Sequence, residues 1–351
     1  MKLIIQVPCL NEEEHLPETL RELPRRVEGF DTVEWLIIDD GSTDATVDVA
    51  RREGVDHIVR LTNNKGLASA FQAGMDASLK LGADVIVNTD ADGQYSAADI
   101  PALVAPILKG AADMVVGDRE VHNVERFSAR KKRLQRLGSW VVRRASGTSV
   151  PDTTSGFRAY NREAALQLQV VSKFSYTLES LIQAGKMLVA VDHVPIATAP
   201  EERRPSRLHR GSFNFVRRSA STILRIYATY EPLRVFSALA IVLLFAALGA
   251  WSPFLIDLVR GEGAGHIQSI ILGGVLMLAA VQVFAVGILA DQLGHQRNLT
   301  QRTLERVRRI ELQLGVPPSH YESNPRSGAA PRAEGADPDP DRGVRGAQPP
   351  A

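Results

Sequence analysis

Asp84-Val85-Ile86-Val87-Asn88-Thr89-Asp90-Ala91-Asp92-Gly93-Gln94 is the stretch whose reading decides the fold. A short apolar run closing on polar residues is the pattern of a buried strand whose carboxyl end meets a ligand, as in open α/β sheets. Alternate residues of an extended segment point to the same side, so Asp90 and Asp92 can converge on one hard cation, although Asp-x-Asp alone also fits an ordinary turn. Such a cation neutralises charge that builds on a departing diphosphate.

Outward from that strand, Leu3 to Val7, Glu34 to Ile38 and Met114 to Val116 have the same apolar character. Helical patterns alternate with them: Thr43 to Glu53, with Ser42 or Thr43 as the cap, and Gly66 to Leu81. This alternation predicts α/β units on a mainly parallel sheet. An amphipathic helix over Thr177 to Lys186 and a strand over Met187 to Val194 would complete the same domain. Two more motifs follow strands. Pro8-Cys9-Leu10-Asn11-Glu12 lacks the glycines of a dinucleotide fingerprint, which argues against a dehydrogenase-type site. Asp39-Asp40-Gly41-Ser42-Thr43-Asp44 offers two carboxylates, either for a nucleoside's ribose or base or only to cap the turn.

Beyond residue 200 the composition changes. Glu201 to Arg218 is rich in Arg, and two apolar stretches follow, Val235 to Ile256 and Ile267 to Ala290. Each is long enough to cross a hydrocarbon core of about 30 Å as a helix. Arg217, Arg218, Arg225 and Arg234 precede the first, Arg297, Arg302, Arg306, Arg308 and Arg309 follow the second, and the connecting loop holds only Arg260. The positive-inside rule then predicts a multi-pass membrane protein with the catalytic domain and both termini cytoplasmic. The expected organisation is a catalytic domain over residues 1–210, an interfacial amphipathic connector over 211–234, transmembrane helices over 235–259 and 267–290, a cytoplasmic helix over 291–314 and a disordered tail over 315–351. The helical stretch Leu299 to Leu314 is a candidate for pairing with a second copy, giving a homo-oligomer.

The hydrophobic content of 44% supports a full core. Cys9 is the only cysteine, so neither an intrachain disulfide nor a Cys-based metal site is available. His15, His57, His122, His193 and His209 show no metal-ligand spacing and read as packing or surface residues. The opening apolar run is too short, and too soon followed by Asn11-Glu12-Glu13-Glu14, to be a signal peptide. The basic segments flank the apolar ones, so the expected partner is a membrane and not a nucleic acid.

Taken in order, Pro8-x-Leu10-Asn11-Glu12, Asp39-Asp40-Gly41-Ser42-Thr43-Asp44, Asp90-Ala91-Asp92-Gly93-Gln94, Gly117-Asp118-Arg119 and Ser155-Gly156-Phe157-Arg158 resemble glycosyltransferase family 2. More narrowly they resemble its dolichol-phosphate mannose synthase-like, polyprenyl-phosphate glycosyltransferase branch. The likeness runs from Lys2 to about Leu208, and the two-span tail also occurs in that branch. It implies a glycosyltransferase A domain, a Rossmann-like nucleotide-diphospho-sugar transferase fold, using Mg²⁺ or Mn²⁺ and a UDP- or GDP-sugar. On the same likeness Pro8, Leu10, Asn11, Glu12, Asp39, Asp40, Ala91 and Arg119 would bind the nucleotide-sugar together with Asp90, while Asp90, Asp92 and Gln94 would hold the metal. Leu10 replaces a frequent Tyr of the family, and Arg203-Arg204-Pro205-Ser206-Arg207 matches the family's Arg-x-x-Gly-x-Ser-Lys only loosely.

The acceptor divides the readings. A polyprenyl phosphate is already ionised and needs cations rather than a base; Arg133, Arg136, Arg203 and Arg207 are candidates, with Arg126, Arg130 and Lys131 on the same basic segment. A lipid hydroxyl, as in a glycolipid synthase, needs a general base, for which Asp152 and Glu179 are the available carboxylates. A third reading, an inactive membrane-bound nucleotide-sugar sensor or scaffold, is opposed by the intact Asp90 and Asp92.

Overall fold

The computed structural model describes residues 1–119, 140, 142–144, 146–170, 176–197, 230–260 and 267–324. Its catalytic half is one sheet of eight strands in the order β7-β5-β6-β4-β1-β2-β3-β8. These strands are β1 (Lys2–Cys9), β2 (Thr32–Asp39), β3 (His57–Arg60), β4 (Val85–Asn88), β5 (Met114–Asp118), β6 (Arg158–Asn161), β7 (Val191–Pro195) and β8 (Tyr321–Ser323). β1, β2, β3 and β4 run parallel, β5 pairs parallel with β7, and β6 lies antiparallel between β4 and β5.

Helices α1 (Leu16–Glu22), α2 (Thr46–Arg52), α3 (Leu67–Lys80), α4 (Ile100–Leu108), α5 (Arg162–Gln167) and α6 (Tyr176–Lys186) accompany the sheet. β1 shows why both faces are covered. Leu3, Ile5 and Val7 enter one apolar core with Trp35, Val85 and Val87, while Ile4 enters a second with Leu36, Ile38, Ile86 and Phe71. Alternate residues of a strand serve opposite faces, so a strand apolar throughout needs helices on both sides. β4 and β2 leave β1 in opposite directions, making the topological switch point beside which such sheets bind ligands.

Several boundaries differ from the sequence reading. The second helix starts at Thr46, with neither Ser42 nor Thr43 capping it; Asp44 accepts from the backbone and hydroxyl of Thr46 instead. The strand expected over Met187 to Val194 starts only at Val191, because the chain turns through Leu188 at φ 60°. Residues 315–324, read as the start of a disordered tail, include β8, which pairs antiparallel with β3. Apolar periodicity could not reveal that strand, since backbone bonds and polar side chains hold it. The Tyr321 hydroxyl and His57 Nδ1 share a hydrogen bond at 2.9 Å, Glu322 binds Arg51 at 2.5 Å, and Asn324 donates to Val55 O at 2.8 Å.

Two long helices follow the catalytic half, α7 (Pro232–Arg260) and α8 (Ile267–Gln313). Each is long and apolar enough to cross a membrane, and Val242, Phe245, Val275 and Leu278 are exposed on them. A helix in a water-soluble core would bury such residues. α8 continues unbroken past its apolar part and docks on the catalytic half: Arg308 donates to Leu166 O and Leu168 O, Arg309 pairs with Glu163, and Glu311 with Lys80 at 3.2 Å. The stretch considered for self-pairing thus has one face on its own chain. Residues 211–229 of the expected connector and 325–351 of the expected tail lie outside the described residues.

Ending the chain at Val316 strips the partner from β3 and leaves the Glu34–His57 pair without Tyr321. The expected result is a melting temperature lower by about 4–8 °C, corresponding to roughly 2 kcal/mol, with turnover at 25 °C retained; thermal unfolding and an activity assay on the truncated chain check both.

Candidate active site

The described residues that follow β1, β2, β4 and β5 lie at one end of the sheet, the end that carries the switch point. Two of these loops are stitched together by the first two motifs. Asn11, held at φ 53°, donates its backbone N–H to Ser42 Oγ and accepts from Thr43 N at 2.9 Å each. Glu12 N donates to Thr46 Oγ1 at 2.9 Å, and Glu13 accepts from Ala45 N at 2.8 Å. The Asn11 side chain therefore serves loop geometry. Gly41 lies at φ 77°, and a Cβ there would come within 2.6 Å of the Asn63 backbone, so only glycine closes this turn.

The adjacent aspartates divide their tasks. Asp40 accepts from Lys65 N at 2.8 Å and Gly66 N at 2.9 Å, ordering the entry to α3. Asp39 is fully buried; its Oδ1 accepts from Ser42 N, while Oδ2 has no hydrogen bond and faces Arg60 Nε at 3.6 Å. The thiol of Cys9 is pushed well up by burial and by the carboxylates of Glu12, Asp39, Asp44 and Asp90. One side chain thus feels the first three motifs together, which places them in one neighbourhood.

The Asp-x-Asp segment stands on a buried polar floor. Asn88 accepts from Gln6 Nε2 at 2.9 Å and donates to Gly156 O at 2.9 Å and to the Tyr176 hydroxyl at 3.1 Å. Gly156 N donates to the Tyr95 hydroxyl at 3.0 Å, and Tyr95 stacks on Phe157 with ring centroids 5.3 Å apart. Asp92 accepts from Gln94 N at 3.1 Å. Burial, then the neighbouring Asp92, pushes Asp90 up to about 7, against the opposing charges of Arg119 and Arg158. Burial and Asp90 likewise push Tyr95 up to about 12.

Among the described residues no three His, Cys, Asp or Glu side chains gather as a metal cage. Two crowded carboxylates at a strand end nevertheless fit a hard divalent cation that takes its remaining ligands from substrate phosphate and water. A cation there would offset both the burial and the neighbouring Asp92 charge that raise Asp90. Gln94 is half-buried two residues on.

Arg119, just past β5, is clamped by Asp152: Nε to Oδ2 at 2.6 Å and Nη2 to Oδ1 at 3.1 Å, with Nη2 also reaching Thr154 Oγ1 at 2.9 Å. Burial opposes ionisation of Asp152, but the bonds and charge of Arg119, with Thr154, hold its carboxyl below the usual range. Glu179, the other expected base, is buried in α6 and receives Arg297 Nη2 of α8 at 2.8 Å and Gln183 Nε2 at 3.2 Å. Arg133, Arg136, Arg203 and Arg207 lie outside the described residues. Ala91 and Pro8 are backbone-anchored at the site: Ala91 O accepts from Thr19 Oγ1, and Pro8 is in register with Ile38. Leu10 and Glu12 are half-buried at the same loop.

Sequence reading missed the floor itself: Gln6, Asn88, Tyr95, Tyr176 and above all Arg158. Arg158 is fully buried and donates to Ser155 O, Thr177 O, Ser180 Oγ and Thr153 O at 2.7–3.0 Å. Its signal was its place in Ser155-Gly156-Phe157-Arg158.

The comparisons with known proteins agree with this geometry. Residues 4–168 match the family described as Glycosyl transferase family 2. An uncharacterized protein of Methanocaldococcus jannaschii is 32% identical over 211 residues, 59% of this chain and 85% of the relative. The undecaprenyl-phosphate mannosyltransferase of Micrococcus luteus is 28% identical over 221 residues, 60% of this chain and 89% of the relative. The glucosyl-3-phosphoglycerate synthase of Mycobacterium tuberculosis shares the fold, with a TM-score of 0.50 at 22% identity over 64% of this chain and 79% of that one. The catalytic half is thus a glycosyltransferase A domain. The chain belongs to glycosyltransferase family 2 and is a glycosyltransferase enzyme similar to the polyprenyl-phosphate branch.

Gly156→Ala tests the floor. An added Cβ would lie 2.6 Å from the Tyr176 hydroxyl and 3.0 Å from Asp90 Oδ2. Overpacking there is expected to cost about 1–3 kcal/mol and to displace Asp90, so both the melting temperature and donor turnover should fall. Adding Tyr176→Phe removes one clash and should restore part of the stability but not the turnover.

Proposed function

We propose that this enzyme transfers a single sugar, with inversion, from a UDP- or GDP-sugar to a polyprenyl phosphate at the cytoplasmic face of a membrane. The observation that carries the reading is the state of the carboxylates. Asp90 and Asp92 crowd together where a cation and a diphosphate fit, whereas both carboxylates suited to act as a base are tied to arginines: Asp152 to Arg119 and Glu179 to Arg297. An ionised phosphate acceptor needs no base, so such an arrangement suits it better than it suits a hydroxyl. The Micrococcus luteus relative carries undecaprenyl phosphate in its name. α7 and α8 supply the membrane attachment that a polyprenyl acceptor calls for.

In this reading Asp90 and Asp92, with Gln94, would hold Mg²⁺ or Mn²⁺, and such a cation would supply positive charge for a diphosphate leaving group. Arg119, positioned by Asp152 and Thr154, faces the donor phosphates. Pro8, Leu10, Glu12, Asp39, Asp40 and Ala91 line the nucleoside side, and Asn11 holds two of its loops together. Arg133, Arg136, Arg203 and Arg207 meet the acceptor phosphate.

Membranes carrying the full chain, incubated with a panel of nucleotide-sugars and a polyprenyl phosphate, should yield a mild-acid-labile lipid-linked sugar. Asp92→Asn or chelation should abolish its formation while the protein stays folded. An alkali- and acid-stable glycolipid would instead identify a hydroxyl acceptor.

Two carboxylate variants separate positioning from base catalysis. Asp152→Asn releases Arg119 and is expected to lower both transfer and acceptor-free donor hydrolysis by roughly 10- to 100-fold, the worth of a charge-assisted hydrogen bond. Glu179→Gln should leave donor hydrolysis intact. Loss of transfer by 10²- to 10⁴-fold with hydrolysis preserved in either variant is the signature of a missing base, and that outcome would remove the phosphate-acceptor reading.

A further inference from the structure

Which edge of the catalytic domain meets the bilayer can be read from the course of α8. Past its apolar part this helix touches the domain in a definite order: Arg297 pairs with Glu179 of α6, Arg308 and Arg309 meet Leu166, Leu168 and Glu163 at α5, and Glu311 meets Lys80 of α3. The chain then reaches β8 beside β3. α6 leads into β7, α5 follows β6, and α3 joins β3 to β4. α8 therefore crosses the sheet in strand order, from the β7 edge to the β8 edge.

The lengths agree. Residues 291–313 of α8 form about 35 Å of helix at 1.5 Å per residue, and an eight-stranded sheet is about 34 Å across at 4.8 Å per strand. Placing β8 at the far end of the helix puts β7 at the level where the apolar span begins. A second tie fixes the same corner from the other membrane helix. Lys186, the last residue of α6, forms an ion pair with Glu231, which immediately precedes α7.

Leu188 stands in that corner. It lies two residues beyond Lys186, holds a left-handed backbone at φ 60° and is 91% exposed. A leucine in a strained conformation that is almost wholly open to solvent gains nothing from the domain's own core. Next to two apolar spans it gains from lipid, as residues of interfacial segments do.

We propose that the α6–β7 turn is a bilayer-contact surface, with Leu188 entering the boundary between headgroups and acyl chains and the β7 edge held against the membrane. The inference rests on the membrane attachment proposed above. β5, whose end carries Arg119, is the strand next to β7. β7 is parallel to β5, so Arg119 lies one strand in from the bilayer-facing edge but at the opposite end of the strands from the α6–β7 turn.

Nitroxide labels on single introduced cysteines test it, since the natural Cys9 is buried. The full chain is reconstituted in vesicles of phosphatidylcholine and phosphatidylglycerol, with labels at Leu188→Cys, at Leu278→Cys on the exposed apolar face of α8, and at Ser323→Cys in β8. Collision with oxygen, concentrated in lipid, is compared with collision with a water-soluble nickel chelate. Position 278 should favour oxygen, 323 the chelate, and 188 should show oxygen enrichment intermediate between them. A label at 188 that behaves as the one at 323, while 278 stays in lipid, overturns the contact surface and leaves the enzyme's membrane attachment standing. Chelate access at 278 equal to that at 323 overturns the membrane attachment, and the contact surface with it. All three sites are on exposed surface, so the variants test location and not folding.

Discussion

A single buried guanidinium organises the catalytic end of this molecule. Arg158 is wholly inside, and a charge there is tolerable only if its N–H groups are met by acceptors. They are met by backbone oxygens of Thr153, Ser155 and Thr177 and by the hydroxyl of Ser180. One side chain thereby ties the loop before β6 to the first turn of α6. Everything beside Asp90 follows from that tie: Gly156 is held in contact with the Asp90 carboxylate, Tyr176 reaches Asn88, and Thr154 is held where it can receive Arg119. Arg158 also lowers the cost of ionising Asp90, against burial and Asp92. The acceptors that hold Arg158 are neutral, so its charge is left to act on the carboxylates above it.

The site is built from pairs whose members do different work. Asp90 and Asp92 repel, and that repulsion suits a cation. Asp152 and Arg119 attract, and that attraction fixes the direction of a partly buried arginine. Glu179 is of the same chemical type as Asp152 but sits between Arg297 and Tyr230, whose hydroxyl is pushed up to about 12 by burial and then by Glu179. Residue type therefore did not decide role; the partner did.

The limits of the sequence follow from the same point. β1, β2, β4 and β5 were legible because strands covered on both faces are apolar throughout, and the two long helices because their apolar runs are uninterrupted over a span's length. β6 was not, since Arg158-Ala159-Tyr160-Asn161 reads as polar while all but Asn161 is buried. β8 was hidden for the opposite reason: Tyr321-Glu322-Ser323 is too short and polar to signal a strand, and its partners His57 and Arg51 lie more than 260 residues earlier. Among the candidate site residues, Asp90 and Asp92 could be named because they close an apolar strand in company with two other motifs; their spacing alone would have been too weak a signal. Asp152 and Glu179 were visible as carboxylates, but the arginines that engage them come from distant segments.

The order of strands also bears on how a lipid and a sugar nucleotide meet. Asp90 and Asp92 follow β4, which is separated from the β7 edge by β6 and β5, or about 14 Å at 4.8 Å per strand. Arg119 follows β5, between that edge and the carboxylate pair. A diphosphate bound at Asp90 and Asp92 would thus lie on the far side of Arg119 from the bilayer, and an acceptor headgroup rising past the β7 edge would approach from the other side. On the proposed function the arginine would stand between the two anions, its charge shared with Asp152. On that reading the clamp from Asp152 and Thr154 would hold the arginine over the site and keep it from turning toward anionic lipid.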